Sequence, residues 1–131
     1  MPVRERLCSE RGDTLISGLL ALGLVLLTIG LAVQGLMFAH AGSVAHAAAQ
    51  DGVEAASSEG TGAGIARADA ILAAAGGVGS HLRPSVHSNA SVVTVVVQGS
   101  APHLFPGVDL MLPTITARAS EPLERYPKDE E

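Results

Sequence analysis

The chain has 131 residues and a net charge of −5, which leaves room for one domain of ordinary size. Only three residues are aromatic (Phe38, Phe105 and Tyr126) and one is cysteine (Cys8), while alanine and glycine number 21 and 15. Stacking on nucleic-acid bases, a disulfide framework and a four-cysteine metal site are thereby excluded, the net charge argues against a phosphate-binding surface, and small side chains argue against a deep core.

Residues 1–12 form a short basic head with Arg4, Arg6 and Arg11. No Asp, Glu, Lys or Arg then occurs between Asp13 and Asp51, and Leu15 to Ala39 is an apolar run of 25 residues whose polar members are Ser17, Thr28 and Gln34. As a helix this run is roughly 37 Å long, enough for a hydrocarbon layer of about 30 Å, and residues 13–39 are expected to cross a membrane. Apolar side chains fall all round such a helix, which suits lipid on most sides. The next basic residue after the run is Arg67, so positive charge is confined to its N-terminal flank. That asymmetry predicts a cytoplasmic N-terminus and an exterior domain from about residue 40. The competing reading is a secretory signal, cut at Ala39-His40-Ala41 or Ala45-His46-Ala47, although the apolar run far exceeds the roughly 7–15 residues of a signal core.

The helix is expected to continue outside the membrane over 40–60, which is rich in alanine and free of proline. Gly35, Ala39, Ser43 and Ala47 recur at every fourth position on one face, spacing that lets two membrane helices approach closely. The GTGAG stretch at 60–64 reads as a flexible joint, because neither its spacing nor its neighbours match a phosphate-cradling loop. A second helix is predicted over Ile65–Ala75, ended by Gly76-Gly77.

From Leu82 the pattern turns to strand, in a small α+β domain over 61–121. Ser91 to Gln98 is dense in valine, with Val93, Val95 and Val97 facing one way and Val92 and Val96 the other. Thr114 to Ser120 alternates, with Ile115, Ala117 and Ala119 inward. Pro106-Gly107 marks a turn between them, and Leu82–Ser88 reads as a third strand held to an edge by Pro84. Residues 122–131 read as an acidic tail.

No enzymatic constellation emerges. The five histidines (His40, His46, His81, His87 and His103) lack metal-site spacing, no serine motif for nucleophilic catalysis occurs, and Asp51 with Glu54 reads as a solvated helix face. Neither cofactor, metal nor small-molecule substrate is expected.

Three passages in order resemble the TadE-like family, pilin-like small membrane proteins of the bacterial tight-adherence pilus system. They are Arg11-Gly12-Asp13-Thr14 running into the apolar helix; AAAQDGVEAA at 47–56; and VVTVVVQGSAPHLFPG at 92–107 followed by TITARASEPLERY at 114–126. The last pair is similar to the strand–turn–strand finish of actinobacterial members. The resemblance implies a long membrane helix continuing outside, a short second helix and a small antiparallel sheet, in a single-pass protein of the bacterial inner membrane. It implies a non-enzymatic minor pilin or accessory component of pilus assembly, partnered by the bilayer and by other pilin-like subunits. It also implies a leader junction at Gly12–Asp13. There Ser17 stands at the fifth position after the cut, where the family of type IV-like pilins usually carries glutamate. The alternative from another class is a secreted or membrane-tethered binding module released by signal peptidase.

Overall fold

The computed structural model describes residues 3–107 and 110–123, with side chains from residue 12 onward. The side chains of Arg4, Arg6, Cys8 and Arg11, and the acidic tail from residue 124 with Tyr126, lie outside the described residues. The chain divides into two units, Met1–Gly35 and Leu36–Glu131.

The first unit is helical. It belongs to α1, which spans Val3–Glu59 and contains no proline. Between Leu15 and Leu36 its leucine, isoleucine and valine side chains stand exposed all round, from Val33 at 41% to Leu15 at 76%.

The second unit is an α+β domain. It holds the end of α1, then α2 (Thr61–Ala74), a short 3-10 turn (Gly76–His81) and three strands, β1 (Leu82–Ser88), β2 (Val92–Gly99) and β3 (Ile115–Pro122). The strands form one antiparallel sheet in the order β1-β2-β3. The valine-rich strand is therefore the central one. Pro84 lies on an edge strand opposite Val97, where its missing amide donor costs no second ladder.

One face of the sheet covers the helices. Val93, Val95 and Val97 on β2 and Leu82 on β1 are fully buried, and Ile115 and Ala117 on β3 complete that face. At about 1.5–3 kcal/mol for each large side chain, these residues supply much of the domain's hydrophobic stabilisation. They rest on the small side chains of α1, where Ala41, Ala45, Ala48, Ala49, Val53 and Ala56 are all buried. The opposite face is more polar: Thr94 Oγ1 and Ser120 Oγ lie 2.9 Å apart across β2 and β3, and Ser85 Oγ donates to the Val96 carbonyl at 3.2 Å. Val96 is nonetheless buried to 5% on that side, between Ser85 and Arg118 in the register.

The joint is shorter than the 60–64 glycine pattern predicts. Gly60 alone makes the turn, at φ +102, and α2 begins at Thr61. Gly62 and Gly64 are thus helical despite costing roughly 1 kcal/mol each in propensity. At Gly64 packing outweighs that cost, whereas Gly62 faces open space. A Cβ built on Gly64 would stand 2.5 Å from the Ala56 methyl and 2.8 Å from the Gly52 carbonyl oxygen. A Cβ on Gly52 would lie 3.2 Å from Ala68 Cβ. The two helices therefore approach with backbone nearly against backbone.

Candidate functional site

Two features carry functional information: the apolar stretch of α1 and the distribution of small residues along that helix. Gly12–Glu59 is long and apolar enough to cross a membrane, and none of its most apolar window is buried within the protein. A helix of a water-soluble core would bury that surface. Here it faces outward, and the hydroxyl of Thr28 is satisfied internally by donating to the Leu24 carbonyl at 2.8 Å. Gln34 is buried, at 3% exposure. The surface is compatible with a single-pass anchor or with a signal segment.

The expected junction residues Gly12, Asp13 and Ser17 are exposed residues of α1. Gly35, Ala39, Ser43 and Ala47 also lie exposed, so this ladder takes no part in the seam that holds α1 inside the domain. Ser43 Oγ donates to the Ala39 carbonyl at 3.1 Å, which leaves the face free of an unsatisfied hydroxyl. The internal seam uses a different set: Gly52 and Ala56 on α1 against Gly64 and Ala68 on α2. Its signal was present in the sequence as two small-x-x-x-small pairs either side of Gly60. Alanine on nearly every face of the helix hid it.

Elsewhere, a shallow groove between α1 and α2 is lined by Asp51, Glu54, Ser58, Glu59 and Arg67 over a floor of alanines. Arg67 reaches Asp51 at 3.4 Å, with both side chains about half exposed. Such a pair contributes about 0–1 kcal/mol. A stronger polar contact lies at the end of the sheet, where Ser57 Oγ donates to Glu121 Oε2 at 2.7 Å. Among the described residues, no group of three His, Cys, Asp or Glu side chains is placed to hold a metal ion.

The connection between β2 and β3 holds the turn expected at Pro106-Gly107, but its apolar side chains carried no signal in the sequence. Around its Pro106-Gly107 turn it exposes Leu104, Phe105, Leu110 and Met111, the last two at 96% and 88%.

No family model, curated protein or solved structure matches the chain.

Proposed function

We propose that this chain is a single-pass membrane protein, N-terminus cytoplasmic and the chain from about residue 40 outside, that acts without catalysis. Its role is that of a TadE-like minor pilin or accessory protein in assembly of a tight-adherence pilus of the bacterial inner membrane. The carrying observation is the division of one helix, α1, into a stretch of exposed leucines and a stretch of buried alanines under a small antiparallel sheet. That layout is the one the resemblance implies. Basic residues confined to the N-terminal flank support the orientation. Ser17 offers no carboxylate at the fifth position after Gly12, which favours an assembly role over a structural place in the fibre.

The buried alanines weigh against the secreted alternative. Both candidate cleavage sites lie within α1, and a cut at either would strip Ala41 from the core, with Ala45 lost as well in the second case. A signal peptidase would have to act on helix that is packed beneath the sheet.

Mature mass and topology test the proposal together. Recovered from membranes, the chain should be intact or shorter by the 12 residues that end at Gly12. Loss of 41 or 47 residues would establish signal cleavage and overturn the anchor. In a Cys8→Ser background, Asn89→Cys on the β1–β2 turn should react with an impermeant thiol reagent in cells whose outer envelope is opened. Reaction only after lysis would reverse the orientation. Co-purification with pilin-like subunits is the expected partner result.

A further inference from the structure

We propose that the free edge of β3 is a docking site for an extended segment of a partner protein, which adds there as a fourth strand and sets an acidic side chain beside Arg118. This edge belongs to the α+β domain, and its chemistry is independent of the apolar stretch, the orientation and the pilus reading.

The ladder decides which backbone groups each outer edge offers. One step beyond the pair Val92–Pro122, Leu123 N donates to the Ser91 carbonyl at 2.8 Å. Antiparallel strands alternate hydrogen-bonded and non-bonded pairs, so counting back by twos makes Glu121, Ala119, Ala117 and Ile115 the residues that bond β2. Thr116, Arg118 and Ser120 then turn their amides and carbonyls away from the sheet. On the other side Asn89 N donates to the Val92 carbonyl at 2.8 Å, and the same count leaves Leu82, Pro84, Val86 and Ser88 outward on β1. Pro84 has no N–H, so the outer edge of β1 lacks a donor in mid-strand, and α2 packs against that strand. The β3 edge carries no such device, because its proline, Pro122, is its last residue. Among the described residues, nothing pairs with the backbone of 116, 118 and 120.

Charge selects the occupant. The helices hold Asp51, Glu54, Glu59 and Asp69, and the one acid within the three strands, Glu121, bonds Ser57 on the helix side. The opposite face of the sheet carries Arg83, His87 and Arg118 and no carboxylate, on a chain whose net charge is −5. Arg83 donates to the Ser80 and Leu82 carbonyls at 3.1 Å, whereas Arg118, exposed at the middle of the free edge, has no ion pair among the described residues. A strand laid along this edge brings one side chain to about 5 Å from Arg118, Cβ to Cβ, and Asp or Glu there gains a charge-assisted contact. A second copy of β3 does not supply it. Two such edges paired about a twofold axis put both Arg118 side chains on one face, opposite or diagonal to each other. Backbone hydrogen bonds then give affinity, and the acidic residue gives choice of partner.

The test uses the full chain, isotope-labelled in detergent micelles, and the peptide acetyl-STVEVTS-amide. Its central glutamate can stand opposite Arg118 while the flanking valines lie on the face of Ala117 and Ala119. We expect saturable binding that slows solvent exchange at the amides of Thr116, Arg118 and Ser120 roughly tenfold and leaves β1 unchanged. Lysine in place of the glutamate should weaken binding about fivefold, the scale of an exposed ion pair, and Arg118→Glu should reverse the preference. Ser120→Pro removes one outward N–H, as Pro84 does on β1, and should weaken both peptides about fivefold, with exchange at Val93 and Val95 confirming an intact sheet. No saturable binding at millimolar peptide, or binding that leaves the three amides unprotected, overturns the docking edge. Equal affinity for the two peptides overturns the acidic partner. Protection of the three amides without peptide also overturns the proposal: if it grows with protein concentration a second copy pairs there, and if it does not the chain covers its own edge.

Discussion

Two stretches of one helix treat apolar side chains in opposite ways, one exposing large ones and the other burying small ones. From Leu15 to Leu36, α1 presents leucine, isoleucine and valine outward, each more than two-fifths exposed. From Ala41 to Ala56 the same helix turns alanine, glycine and valine inward, and Ala41, Ala45, Ala48 and Ala49 reach zero exposure. In water the arrangement is inverted, because large apolar groups gain most from burial. In lipid it makes sense, since the hydrocarbon solvates branched side chains while the domain needs small ones to bring a sheet and a second helix close. The first stretch is mostly leucine among its apolar residues, the second mostly alanine. Side-chain volume separates them.

The strongest way to break this comparison is to give the packed stretch the volume of the exposed one. Gly64→Leu places a branched side chain where even a Cβ would overlap Ala56 and the Gly52 carbonyl, and backbone on both sides cannot give way. We expect loss of the native domain. The milder Gly64→Ala should cost about 1–3 kcal/mol, because its overpacking exceeds the gain in helix propensity. Thermal unfolding of the detergent-solubilised chain, followed through the sheet signal, reads both. A Gly64→Leu protein with wild-type melting would remove the seam.

Next in size is a matched truncation. Leu82→Ala deletes a fully buried side chain from the sheet and should lower stability by about 3 kcal/mol. Leu24→Ala deletes an equal volume at 65% exposure and should leave domain unfolding within about 0.5 kcal/mol of wild type. Equal losses from the two variants would mean that the apolar stretch is packed against protein.

How far the sequence disclosed this arrangement depended on the signal available to each element. The strands were legible nearly to the residue: Leu82–Ser88 matches, and β2 and β3 begin one residue after the expected Ser91 and Thr114. Valine density and strict alternation act over a few residues, and Pro84 marked the edge before any pairing was known. The apolar run was legible because 37 consecutive residues without a formal charge, 14–50, admit few other readings. The start of α2 was not, since Gly62 and Gly64 carry breaker chemistry and the close packing of Gly64 on Gly52 and Ala56 across the seam is not visible in sequence. Nor was the exposed loop around Leu110 and Met111, because an apolar run in sequence does not say whether the fold covers it. Tertiary contact decided both.

The smallest expected effect on stability comes from the outward ladder. Ala39→Leu adds the volume that Gly64→Leu adds, yet at a position the domain leaves exposed, so unfolding should stay within about 0.5 kcal/mol of wild type. Its effect, if the Gly35, Ala39, Ser43, Ala47 face meets another membrane helix, belongs to association. Lipid provides no hydrophobic drive between helices, so a lost close approach is not offset by the larger side chain. Co-purification of partner subunits at matched expression should fall for Ala39→Leu and hold for Leu36→Ile, which lies off the ladder. Unchanged recovery would assign the ladder to lipid, and α1 would then use small residues for contact only beneath its own sheet.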